Sequence, residues 1–153
     1  MKKLLCLIAL LPTLAFAQVE LKTEIFKVVE TRLTTGKVKQ DWVKDQAIAP
    51  GDKVGYQILF TNSGAEPADN IVLNNPIPEH TFYIADSARG ANSNIVFSAD
   101  GGKLFATPEK LFIEKDGKKV LASPKEYTNV RWSISKALPA GESGSVQYIV
   151  EVK

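Results

Sequence analysis

Few side chains in this chain are of the types that carry out chemistry. His80 is the only histidine, and it follows Glu79 and the Pro76-Ile77-Pro78 corner. A catalytic or zinc-binding histidine needs partners such as a second His or a Cys. The one cysteine, Cys6, stands near the N-terminus, so His80 reads as a surface-loop residue. Gly141-Glu142-Ser143-Gly144-Ser145 has the outline of a nucleophile elbow. That motif needs glycine at its fifth position and a strand-to-helix turn around the serine. Ser145 fills the fifth position and the pattern of a strand follows, so the elbow is rejected. Asp100-Gly101-Gly102 and Asp116-Gly117 each place a carboxylate in a glycine-rich loop. A calcium loop needs oxygen donors at alternate positions and a closing Glu. Glycines occupy those positions, so both segments read as turns. Asp69-Asn70 and Asn74-Asn75 could bring oxygens together from neighbouring loops as a weak metal site, and the sequence leaves that open. No catalytic residue, metal-ligand set or cofactor is assigned, and the chain reads as a non-enzyme.

The two tryptophans stand in different settings. Trp132 alternates with Val130 and Ile134 and belongs to a core. Trp42 lies in the charged run Lys39-Gln40-Asp41-Trp42-Val43-Lys44. Either it packs over a sheet edge, or it is an exposed contact residue for a partner, a role in which tryptophan is enriched. It is the one candidate partner contact singled out.

The positioning elements begin after residue 17. Lys2-Lys3, the apolar run Leu4 to Leu14 and Ala15-Phe16-Ala17 form a leader with an A-x-A site, which places cleavage between Ala17 and Gln18. The apolar run is shorter than the roughly 20 residues of a membrane span. Cys6 opens this run, so it leaves with the leader and the mature chain has no cysteine. The 153 residues less the 17 of the leader leave 136, enough for one domain with a core. Losing Lys2 and Lys3 takes the 19 basic residues to 17, equal to the 17 acidic ones. A neutral chain gives no support to nucleic-acid or anionic-membrane binding. We expect an exported protein, periplasmic in a Gram-negative cell or carried to the surface, with no membrane insertion after cleavage.

The mature chain is patterned for strands. Ala49-Pro50-Gly51-Asp52 is a turn into Val54, Tyr56, Ile58 and Phe60, which alternate with more polar neighbours before Asn62-Ser63-Gly64 ends the strand. In residues 18–46, Val19, Leu21 and Ile25 share one parity and Phe26 and Val28 the other, which predicts a bulge or a change of sheet. Thr34-Thr35-Gly36-Lys37 is a turn, and Lys37 to Asp45 reads as a solvated sheet edge. Ile71 and Leu73 point inward from a short strand closed by Asn75-Pro76-Ile77-Pro78-Glu79, Phe82 and Ile84 share the next face, and Ile95-Val96-Phe97 follows. Asp100-Gly101-Gly102 and Asp116-Gly117 predict hairpins. Val130, Trp132 and Ile134, then Leu138-Pro139-Ala140-Gly141, then Val146, Tyr148, Val150 and Val152 give the last two strands. With no amphipathic helix of three turns, the fold class is an all-β antiparallel sandwich.

The order Pro50-Gly51-Asp52, Tyr56 to Asn62, Gly64, Pro67-Ala68, Ile71 to Leu73, Asn75-Pro76, Pro78, Val130-Arg131-Trp132, Leu138-Pro139-Ala140-Gly141 and Val146 to Val152 resembles the bacterial conserved repeat domain known as domain of unknown function 11. The resemblance covers residues 47–153, preceded by an N-terminal strand and hairpin in 18–46. It implies an immunoglobulin-like sandwich in a structural or adhesive envelope protein, with no catalytic residues to carry over. Family members often hold tandem copies, whereas one copy is found here, and 100–126 looks inserted. The expected function is binding to another envelope or surface protein, through Trp42 or sheet edges near 19–29 and 146–152. An envelope glycan is the alternative ligand, and hydrolysis ranks third.

Overall fold

The structure, a computed structural model, describes residues 18–153. Residues 1–17, with Ala17 of the expected cleavage site, lie outside the described residues, and Gln18 is the first inside them. The first strands are β1 (Val19–Arg32), β2 (Val38–Val43), β3 (Lys53–Asn62), β4 (Val72–Pro76), β5 (Thr81–Tyr83) and β6 (Arg89–Gly90). They are followed by β7 (Ser93–Ser98), β8 (Phe112–Lys115), β9 (Lys118–Leu121), β10 (Asn129–Ile134) and β11 (Ser143–Val152). Helical structure among the described residues amounts to single 3-10 turns at Pro108–Lys110 and Pro124–Glu126.

All strand pairing is antiparallel, and the molecule is an all-β sandwich. One sheet has the order β2-β1-β3-β11-β5, with β6 also on β11, and the facing sheet is β4-β10-β7. In a constant-type immunoglobulin sandwich the last strand lies in the sheet opposite the first. Here β11 lies in the same sheet as β1, between β3 and β5. The expectation of an edge at 146–152 is therefore corrected: β11 is hydrogen-bonded on both sides.

The core follows from the period of two. Val54, Ile58 and Phe60 of β3 stand beside Val146, Tyr148 and Val150 of β11 and face Val130 and Trp132 of β10, all at most 4% exposed. Tyr56 stacks on Tyr148 at 5.1 Å, and Tyr83, Phe97 and Tyr127 form a second aromatic group. Tyr83, not Phe82, supplies the inward face of β5.

Turn chemistry fixes the register. Pro50 and Gly51 occupy the middle of a type II turn, with Gly51 at φ +86° and the Asp52 N–H donating to the Ala49 carbonyl at 3.0 Å. Asp116 and Gly117 both have positive φ, as a two-residue type I′ hairpin between β8 and β9 requires. The Asp100 segment is a correction. It is an eight-residue connection (98–105) between the paired Phe97 and Ala106, nucleated by the Asp100 carboxylate accepting from the N–H groups of Lys103 and Leu104.

A second correction concerns β1, which has no bulge. Its register with β3 runs unbroken from Val19↔Asn62 to Val28↔Lys53. The parity switch has another cause. At its start β1 turns Val19, Leu21 and Ile25 to the inner face, and further on Phe26 and Val28 pack on the outer face.

Candidate binding surface

The outer-face cluster is built around a missing side chain. Gly55 lies between Phe26 on β1 and Ile149 on β11. The Trp42 indole sits over it so closely that a Cβ on Gly55 would lie 2.4 Å from Trp42 Cζ3. Phe26 meets the indole edge-on at 5.6 Å, and Val28 is its cross-strand neighbour. Trp42 is thus half-buried over Gly55, with part of the ring still facing solvent. The same device recurs within the core, where Phe60 covers Gly144.

The inner face of β1 is different. The facing sheet has three strands and β4 is its edge, so Leu21 and Ile25 project where no opposing strand covers them. They are 60% and 50% exposed. Seven of the eleven large hydrophobic residues exposed among the described residues fall between Leu21 and Ile48. Val29 continues the face of Leu21 and Ile25, and Val43 joins it through its pairing with Lys27.

The edge beside this strip is open. β2 pairs with β1 only from Lys27 to Arg32, so among the described residues no strand pairs with the outer edge of β1 over 19–26. Gln18 accepts from the Ser63 N–H in the β1–β3 register, and the Leu33 N–H donates to Lys37 in the β1–β2 register. In an antiparallel ladder this alternation turns even-numbered residues of β1 toward β3 and odd-numbered ones toward the other edge. Val19, Leu21, Thr23 and Ile25 therefore offer unpaired N–H and C=O groups in a row.

Charges frame the edge. Glu24 bonds Lys22 at 2.9 Å and Lys44 at 3.1 Å, and these ammonium groups, Lys22 first, hold its carboxyl below the usual range. The chain from β2 to β3 steps across β1 at Lys27, whose ammonium bonds Asp52 at 2.7 Å and the Ala47 carbonyl. Lys27, then the Ala49 N–H, lower the Asp52 pKa. Lys53, then Gln40, do the same for Glu30.

The remaining candidates separate. Ser143 lies in an open groove of about 380 Å³ at one end of β11, its hydroxyl 2.7 Å from that of Thr61. His80 is exposed at the other end, its carbonyl accepting from the Lys153 N–H. Ten residues of strand put the two roughly 30 Å apart. The Asn75 amide donates to the Tyr148 hydroxyl at 2.6 Å, and Asn70 is a left-handed turn residue at φ +55°. Asn74 and Asp69 are exposed. Among the described residues no three His, Cys, Asp or Glu side chains cluster as metal ligands.

Sequence reasoning placed an edge near 19–29 but missed its limits. Those depend on β2 joining β1 only at Lys27, for which the alternation carries no signal. Among the described residues no helix is long and apolar enough to cross a membrane. Comparison with family models, curated proteins and solved structures finds no match to this chain.

Proposed function

We propose that the chain is an exported, non-enzymatic interaction module of the bacterial envelope, an immunoglobulin-like sandwich that binds a protein through β1. The observation that carries this reading is the coincidence, over 19–26, of an open strand edge with the uncovered apolar side chains of Leu21 and Ile25. Strand addition needs both: main-chain groups to give affinity and alternate side chains to give selectivity. Natural sheets protect such edges with charge, bulges or covering segments. Here no bulge interrupts β1. The leader supports export, and the order of turns and strands supports kinship with domain of unknown function 11.

A protein ligand is favoured over a glycan by where the aromatics lie. Glycan recognition by stacking needs several rings on one exposed face. Trp132 and Tyr148 are fully buried, Tyr83, Phe97 and Tyr127 pack on one another, and Trp42 rests on Gly55.

Cross-linking of intact host cells, with adducts identified by mass spectrometry, tests the proposal. A reproducible adduct in the wild type that is lost with Ile25→Lys supports it. A chain that remains uncross-linked with several linker lengths, at normal expression, contradicts it.

A further inference from the structure

The open edge of β1 is complementary to itself. We propose that it pairs antiparallel with the same edge of a second copy, about a twofold axis through Thr23, joining two first sheets into one. This rests on the reading of β1 as a binding edge and names its occupant.

The open edge limits the axis and the side chains select it. The edge runs from Val19 at the start of β1 to Phe26, because Lys27 already pairs with Val43. The midpoint of that window falls between Lys22 and Thr23, so its extent alone admits an axis at either. The choice is made by the side-chain pattern Leu21-Lys22-Thr23-Glu24-Ile25. About Thr23, Lys22 of one copy faces Glu24 of the other, Leu21 faces Ile25, and Thr23 faces Thr23. Moving the axis one residue back sets Lys22 against Lys22 and Glu20 against Glu24. Moving it one residue forward sets Glu24 against Glu24. Opposite charges directly across a strand pair attract and like charges repel, so the neighbouring registers are disfavoured.

The backbone agrees with this register. Leu21, Thr23 and Ile25 have their N–H and C=O groups turned to the open edge, so each meets a partner residue of the same orientation and both bonds of each pair can form. Side chains agree as well. Lys22 and Glu24 lie on the outer face with Phe26, while Leu21 and Ile25 lie on the inner face. Pairing therefore brings two leucines and two isoleucines into one apolar cluster and shields side chains that the facing sheet leaves bare. Such an interface is isologous and closed, so it stops at a dimer rather than growing a fibre.

The test uses the protein beginning at Gln18, which contains no native cysteine. Residues facing each other in a hydrogen-bonded antiparallel pair have Cα atoms about 5.5 Å apart, within disulfide range. Thr23→Cys is expected to give a disulfide-linked dimer under mild oxidation. Leu21 lies four residues from its mate, about 13 Å along the strand. Leu21→Cys alone is therefore expected to stay monomeric, and to cross-link when mixed with Ile25→Cys. Lys22→Glu and Glu24→Lys should each raise the dissociation constant about tenfold, and mixing the two should restore association. Thr23→Pro removes an N–H that faces away from β3, so it should abolish the dimer while leaving thermal unfolding nearly unchanged.

A chain that sediments as a monomer through the millimolar range overturns the proposal. So does a Leu21→Cys variant that links to itself while Thr23→Cys does not. If the protein is monomeric but Thr23→Pro removes an adduct with a different chain in cells, the self-pairing falls and the binding edge stands. If the dimer forms and Thr23→Pro leaves an adduct with a different chain intact, the self-pairing stands and that partner binds elsewhere.

Discussion

Gly55 and Trp42 carry the outer face of the first sheet between them. Because nothing in the backbone angle of Gly55 demands glycine, the effect of adding a methyl there is purely one of space. Gly55→Ala is expected to lift the indole, expose Val28 and cost about 1–3 kcal/mol by overpacking. Urea titration reads the loss, and a red shift of the Trp42 emission reads the displacement. Asn62 acts by bonding rather than packing. It is fully buried, its amide donates to the carbonyls of Glu66 and Leu138, and its oxygen accepts from the Gly64 N–H. Asn62→Ala leaves those groups unpaired and is expected to cost about 1–3 kcal/mol, with the midpoint of denaturation falling and its slope unchanged. The sequence marked Asn62 only as part of a turn, because period and turn chemistry do not reveal which side chain ties two loops together.

The elements were legible in proportion to how locally their causes act. β3, β10 and β11 are readable because their alternation is continuous and their bounding turns contain Pro and Gly. The Asp116-Gly117 hairpin is readable because one dipeptide specifies its turn. The course of β1 was misread because its apolar residues lie on opposite faces at its two ends, which mimics a bulge in a linear pattern. The central place of β11 was likewise hidden, since pairing between strands some ninety residues apart leaves no local trace. One prediction belongs at this scale. Gly117 sits at φ +72° with open space around it, so Gly117→Ala strains only the backbone. It should cost about 1–2 kcal/mol, felt in the β8–β9 hairpin. Hydrogen exchange should show faster opening of 112–121 and unchanged protection in β3 and β11.

At the scale of the whole molecule, the two sheets are held by a single aromatic and aliphatic core, and ion pairs tie β1 to the strands beside it. Asp52 with Lys27, Glu30 with Lys53, and Glu24 with Lys22 and Lys44 all have carboxyl pKa values lowered in the folded state. A depressed folded pKa stabilises the fold above the unfolded value, and that stabilisation is lost as pH falls through the folded value. Stability should therefore hold through neutral pH and decline below the ordinary carboxylate range, with β1 loosening before the core. Chemical denaturation at stepped pH checks this, and the decline should be smaller in high salt because the pairs are partly exposed. The candidate site was legible only in outline. Edge strands and a tryptophan were visible as suspects, but the overlap of an open edge with uncovered apolar side chains exists only once β2 stops at Lys27.

The measurement that bears most directly on this account is site-specific photo-cross-linking in the native host. The photoreactive side chain is placed at Thr23 in one strain and at Lys118, on the distant β9 hairpin, in another. The account predicts a discrete protein adduct from Thr23, at twice the chain mass or with a distinct partner, and none from Lys118. No adduct from Thr23, or the same adducts from both positions, would contradict it.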